Sequence, residues 1–185
     1  MATAESRYAT EATTAEYDIR WMDPVLVAET TIQADFDDAG QQGFRLLAEY
    51  IAGANHARPG APAAARKGPL PFSEKMAMGV PVSQIQTQRG FLIQFTLPAY
   101  YTMASLPMPT DHRVHLREIP ARRVAVCTYT GSWSQASFQK HRSELLAALK
   151  RDGIVTVGEP MFARFNSPLQ LWFLRRNEIW MEVAP

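Results

Sequence analysis

A chain of 185 residues with 46% apolar and 20% charged side chains holds material for one ordinary core, which argues against a disordered polymer or several large domains. Its formal charge of +1 gives no overall field to gather nucleic acid or an anionic membrane, and its one cysteine, Cys127, excludes an internal disulfide framework. No apolar run approaches the roughly 20 residues of a membrane-spanning helix, and the opening MATAESRYATEATTAEYD lacks the cationic start and apolar stretch of a secretory signal, so a cytoplasmic protein without membrane insertion is expected.

Residues 1–15 read as a flexible lead-in, leaving 16–185 for one domain. VLVAETTI (25–32) is rich in β-branched residues and reads as a strand. Asp35, Asp37 and Asp38 then place negative charge where a helix begins, and Phe44, Leu47 and Ile51 recur at helical spacing up to Gly53. A helix over about 37–52 follows. Residues 53–73, rich in proline and glycine, read as a long surface loop, and KMAMGVPV (75–82) as a short strand broken by Pro81. FLIQFTLP (91–98) alternates like a half-buried strand.

HLREI (115–119) and RRVAVCTYTG (122–131) read as strands. Ser132 with Gln135 forms a candidate capping box for a helix over about 134–151, which Phe138, Leu145, Leu146 and Leu149 make amphipathic. PMFARF (160–165) and NEIWMEV (177–183) complete the strands. Both halves run strand, strand, helix, strand, strand and meet near residue 110, the order of a duplicated unit. Neither half can bury its sheet face alone, so one shared core is expected.

Few residues offer conventional chemistry. None of the four histidines (His56, His112, His115, His141) sits in a metal-binding frame, and His112 and His115 fall on opposite faces of a strand, so no metal site is expected. Cys127 lies in an apolar strand with no neighbouring base and reads as a small core hydrophobe. Met76 and Met78 read as gap-filling core or as a soft pocket wall. No G-x-S-x-G, G-x-G-x-x-G or phosphate-loop motif is present. Glu178 shares a strand face with Trp180 and Glu182, opposite the apolar Ile179, Met181 and Val183. If the apolar face turns inward, Glu178 is a solvated carboxylate; if Glu178 faces a cavity, it is a desolvated one able to bind a cation or act as a base. The run LWFLRR (171–176) sets four large apolar side chains against two arginines, as a barrel end or as the wall of a site for something flat, apolar and acidic.

Five stretches carry a family resemblance: YDIRWMDP (17–24), GFRLLAEYIAGAN (43–55), KMAMGVPV (75–82), FNSP (165–168) and RRNEIW (175–180). Together they resemble the SOUL haem-binding proteins over nearly the whole chain. The resemblance implies an α+β fold, a distorted antiparallel β-barrel with two helices in two pseudo-symmetric halves, shared with GyrI-like domains that include drug binders and hydrolases. It implies non-enzymatic binding of haem or a related tetrapyrrole, as carrier or buffer, in a shallow apolar groove. Mapped onto this chain, the groove comprises Gln41, Phe44, Arg45, Ala48 and Ala52 on the first helix. Leu169, Leu171, Trp172, Phe173 and Arg175 of the late loop complete it. Where one family member carries a histidine proposed as iron ligand, this chain has Trp21, so haem is expected without a histidine axial ligand. Gln41 and Glu49 replace basic residues, leaving Arg45 as the cation on the helix face. Two alternatives stand beside this reading. One is a GyrI-like hydrolase using Glu178, with Tyr17, Tyr129 or Trp180 shaping its cavity; the other is a protein-interaction module.

Overall fold

The computed structural model describes residues 4–5, 7–58, 73–166 and 171–185, and only the backbone of residues 4, 5 and 172. The described elements are β1 (Ala4–Glu5), β2 (Tyr8–Thr13), β3 (Asp18–Met22), β4 (Val25–Ile32), α1 (Phe36–Ala52), β5 (Asn55–His56), β6 (Gly79–Val80), β7 (Val82–Thr87), β8 (Gly90–Thr96), β9 (Met108–Pro109), β10 (His115–Ile119), β11 (Arg122–Thr130), α2 (Gln135–Arg151), β12 (Thr156–Arg164) and β13 (Arg176–Val183). A short 3-10 turn, Trp172–Leu174, precedes β13.

Local chemistry sets the helix ends. Asp35 caps α1 by accepting the Asp38 amide at 3.1 Å, and Asp37 and Asp38 oppose the positive end of the helix. Gly53 closes it with a φ of 123°, a conformation costly for any residue with a Cβ. The cap of α2 is Ser134, which accepts the Ser137 amide at 3.3 Å, two residues beyond the Ser132 box the sequence suggested. Trp133 thereby becomes the residue before the cap and packs on the same core as Phe138, a hydrophobic staple.

One antiparallel sheet carries both halves in the order β10-β4-β8-β7-β12-β13-β11-β3-β2. The triplets β4-β8-β7 and β12-β13-β11 are mirror arrangements, and each half hands its first strand to the other: β3 lies on β11, and β10 on β4. The two-fold similarity expected from element order is therefore an exchange of edge strands. Within KMAMGVPV only Gly79–Val80 and the final Val82 are strand, and Val82 opens the regular strand, later than the sequence suggested. Part of the N-terminal lead-in is ordered: Tyr8–Thr13 pairs with β3 although all six side chains are exposed, so backbone bonding rather than apolar burial holds it. Residues 59–72 of the proline-rich loop lie outside the described residues.

Both sheet faces are buried. On the helix side, α1 covers Ala28, Ile93 and Phe95, while α2 covers Ala125, Phe162, Ile179 and Met181. Gly43 permits the close approach of α1, because a Cβ there would come within 2.7 Å of Ile93 Cβ. The curl of the sheet buries its other face too, around Met22, Val124, Val126, Ala163 and Trp180. The halves meet in an aromatic joint where Phe36 stacks on Phe138 and Phe162, with centroids 5.4 and 5.8 Å away.

Phe162 is fully buried at this joint, so Phe162→Ala is expected to cost about 3–5 kcal/mol of unfolding free energy. In urea denaturation the variant should retain one transition; two separated transitions would show that the halves fold independently.

Candidate functional site

All five helix residues that the resemblance assigned to the groove are described. Gln41, Arg45 and Ala52 are exposed, and Ala48 is half-buried. Phe44 is half-buried with its ring 5.2 Å from Phe95, which ties the strip to the core. In the late loop Leu171, Phe173 and Leu174 are 58%, 52% and 55% exposed, a run of large apolar side chains facing solvent. Leu169 and the side chain of Trp172 lie outside the described residues. The half-buried Arg175 places its guanidinium 4.2 Å from the Trp133 ring.

Trp133 and Arg164 join the loop to the helix. The Arg164 guanidinium lies 5.4 Å from the Trp133 ring and 5.9 Å from the ring of Phe36, the first residue of α1. Neither residue stood out in the sequence. Arg164 ends an apolar strand, where a solvated charge is usual, and Trp133 was legible only through its staple spacing to Phe138.

Glu178 corrects the expectation of a solvated carboxylate. It is fully buried on the curled face of the sheet, where its Oε1 accepts from Arg20 Nη1 at 3.1 Å and Arg176 Nη2 at 2.7 Å. Thr128 Oγ1 adds a bond at 3.3 Å, and Trp180 Nε1 donates to Oε2 at 2.6 Å. Arg20 is also paired with Asp18 at 2.8 Å, and that contact holds the Asp18 carboxyl below its usual pKa. A carboxylate saturated by two guanidiniums, a hydroxyl and an indole is a structural anion, poorly placed to accept a substrate proton.

Nor do the residues suggested around it form one cavity. Tyr17 and Tyr129 belong to the helix-side core, on the opposite face of the sheet, and only Trp180 shares the Glu178 face. Tyr17 Oη donates to Asp152 Oδ2 at 2.7 Å, a bond that raises its pKa. The curled face retains a cleft of about 250 Å³ lined by Leu92, Arg117, Arg122, Met161 and Trp180. A second cleft of about 390 Å³ opens beside the start of β4, between Leu26, Leu97 and Tyr101, away from both the strip and Glu178.

The other candidates take ordinary places. Met76 is buried in the core beneath α1 and Met78 packs against its edge. Burial raises the pKa of the Cys127 thiol, which keeps it protonated and unreactive. His141 pairs with Glu144 at 2.9 Å and stacks on Tyr129, whereas His56, His112 and His115 are exposed. Among the described residues no three His, Cys, Asp or Glu side chains group as metal ligands. No described helix is long and apolar enough to cross a membrane.

Two helices over one curled antiparallel sheet define the GyrI-like class of fold. The EcmrR C-terminal domain matches it with a TM-score of 0.64 at 10% identity, over 97% of this chain and 98% of that one. A hydrolase from Listeria innocua matches at 0.59 and 10% identity, over 94% of each chain. SAV2435 bound to tetraphenylphosphonium matches at 0.50 and 14% identity, over 91% of this chain and 94% of that one. Such identities show the fold alone. Within that class the chain belongs to the SOUL haem-binding protein family, whose model matches residues 3–182. Human haem-binding protein 2 is 28% identical to it over 173 residues, spanning 89% of this chain and 77% of that protein.

Removing the charge of Glu178 leaves the buried Arg20 with Asp18 as its one carboxylate partner among the described residues and breaks a buried ion pair, so Glu178→Gln is expected to cost about 3–5 kcal/mol in denaturant unfolding. Stability equal to the unmutated chain would return Glu178 to the list of chemical residues.

Proposed function

We propose that the protein binds haem or a related tetrapyrrole on an open apolar groove, without catalysing a reaction, as a cytoplasmic carrier or buffer. Membership of the SOUL haem-binding family supports haem as the ligand. The observation that carries the groove is the exposed run Leu171, Phe173 and Leu174, next to Arg175 and facing solvent where a core strand end would be covered. A tetrapyrrole presents a flat apolar face and anionic propionates. The small side chains Ala48 and Ala52 leave room for such a face, and Arg45 and Arg175 supply the matching cations.

No histidine, cysteine or methionine stands among the described residues of the proposed groove, Gln41, Phe44, Arg45, Ala48, Ala52, Leu171, Phe173 and Arg175, so none of these would supply an axial ligand. Apolar contact therefore dominates affinity, with iron chemistry left to the ligand itself.

Haemin titration followed by the Soret band tests this reading. Single His56, His112, His115 and His141→Ala variants should bind as the unmutated chain does. Phe173→Ala should lose about 1–3 kcal/mol. Arg45→Glu should weaken binding by setting like charge against the propionates, and added salt should blunt that loss. No binding at micromolar haemin would end the proposal, and one histidine variant abolishing it would overturn the unligated mode.

A further inference from the structure

The corner where both helices begin holds an unmet set of polar groups. Arg164, Asn177 and Tyr129 lie in one row across β12, β13 and β11, each opposite the next in register. Arg164 Nη2 donates to Gln84 Oε1 at 2.8 Å, and Gln84 Nε2 donates to the Phe36 carbonyl at 2.7 Å. Arg164 Nε, Trp133 Nε1, Tyr129 Oη and Asn177 Oδ1 have no hydrogen-bond partner, four of the six such buried atoms among the described residues. Tyr129 is only 8% exposed and Asn177 fully buried. The Ser137 hydroxyl lies close enough to donate to the Tyr129 phenol oxygen and partly offsets the burial that pushes the phenol up to about 12, so what Tyr129 lacks is an acceptor for its own O–H.

Two guanidiniums, those of Arg164 and Arg175, bring positive charge to this corner. Among the described residues no carboxylate lies within ion-pair distance of Arg164; Asp37 acts on it only from farther off, and burial pulls its pKa down to about 10. Arg175 adds a second cation over the Trp133 ring at 4.2 Å. Whereas α1 offsets its positive end with Asp37 and Asp38, α2 carries no acidic residue in its first turn. Buried donors without acceptors are costly, and three of them beside two cations suit one class of partner. Trp133, Arg164 and Arg175 remain partly exposed, whereas Tyr129 and Asn177 are buried.

We infer that Arg164, Trp133 and Tyr129, with Arg175 at the mouth, form an oxyanion site that takes a carboxylate. The guanidinium Nε–H, the indole N–H and the phenol O–H donate to its oxygens. The one unpaired acceptor, Asn177 Oδ1, takes an accompanying water. The carboxylate is either a propionate arm of a bound tetrapyrrole, which rests on the function proposed above, or a small free carboxylate, which does not.

Calorimetric titration of the full chain with benzoate at fixed ionic strength, with parallel melting curves, tests the site. Tyr129→Phe and Trp133→Phe each remove one donor and keep a ring, and each should weaken benzoate about ten-fold. Tyr129→Phe should leave the melting temperature of the ligand-free chain equal or higher, since it deletes a buried hydroxyl whose O–H has no acceptor. A marked fall would show a structural partner for that hydroxyl and count against the site. No benzoate binding to the unmutated chain, as with water as sole occupant, overturns the inference, and so does equal affinity in both variants. Competition between benzoate and haemin, absent with haemin dimethyl ester, assigns the carboxylate to the tetrapyrrole. Benzoate binding without competition assigns it to a free carboxylate, and the site then stands even where haemin does not bind.

Discussion

Each half of the molecule surrenders its first strand to the other, and most of the architecture depends on that exchange. Without β10, the edge of β4 would lie open; without β3, so would that of β11. An isolated half would thus expose an unpaired edge as well as an apolar face, two liabilities a small unit can seldom carry. The aromatic joint of Phe36, Phe138 and Phe162 closes the same seam from the helix side. Because Phe36 is the first residue of α1 and Phe138 lies in the first turns of α2, the joint also brings the two helix starts together. Arg164 and Trp133 occupy that meeting point as a consequence of topology.

Curling a nine-stranded sheet until both faces are buried has an electrostatic consequence. Any polar residue on the inner face must find its partner inside, and Glu178 does so through Arg20, 158 residues away in sequence. The ion pairs and Trp180 fill the middle of the curl, which leaves only a modest cleft farther along. The centre of the curl is thus closed by this chain's own side chains.

The elements with one apolar face were legible in the sequence. Both helices and the strands around FLIQFTLP, RRVAVCTYTG and NEIWMEV lie within a few residues of their expected bounds. Alternation in β13 separated Glu178 and Trp180 from Ile179 and Met181 correctly, but period two cannot say which face is buried when both are. The strand Tyr8–Thr13 escaped notice because nothing in it is buried; its order comes from backbone bonds to β3. Likewise the proline-rich segment begins with a buried anchor. Asn55 Nδ2 donates to the Tyr50 and Glu74 carbonyls, both at 2.8 Å, and its Oδ1 accepts the Glu74 amide at 2.9 Å, clamping the two ends of that segment together. A long-range polar clamp leaves no periodic trace. The residues proposed for the groove rest on resemblance, whereas Arg164 and Trp133 needed the coordinates because their neighbours come from β7, α1 and α2.

Exposed apolar side chains elsewhere in the described chain are dispersed: Tyr8, Trp21 and Tyr100 stand singly, and Val155 and Val157 alternate along a strand edge. Only at 171–174 do large ones gather in a tight turn, and there they meet Arg175. Isolated apolar residues on a surface need no explanation, but a cluster beside cations does. Trp133 explains the adjacency in physical terms. Its ring carries Arg175 on the side of the turn and Arg164 toward α1, so apolar rim and cationic corner share one aromatic wall. A purely apolar ligand would leave the guanidiniums unused, and a simple inorganic anion would leave Leu171 and Phe173 in water. On the function proposed above, the surface as a whole would suit an amphiphile with a flat greasy body and at least one carboxylate, the class of molecule to which a tetrapyrrole belongs.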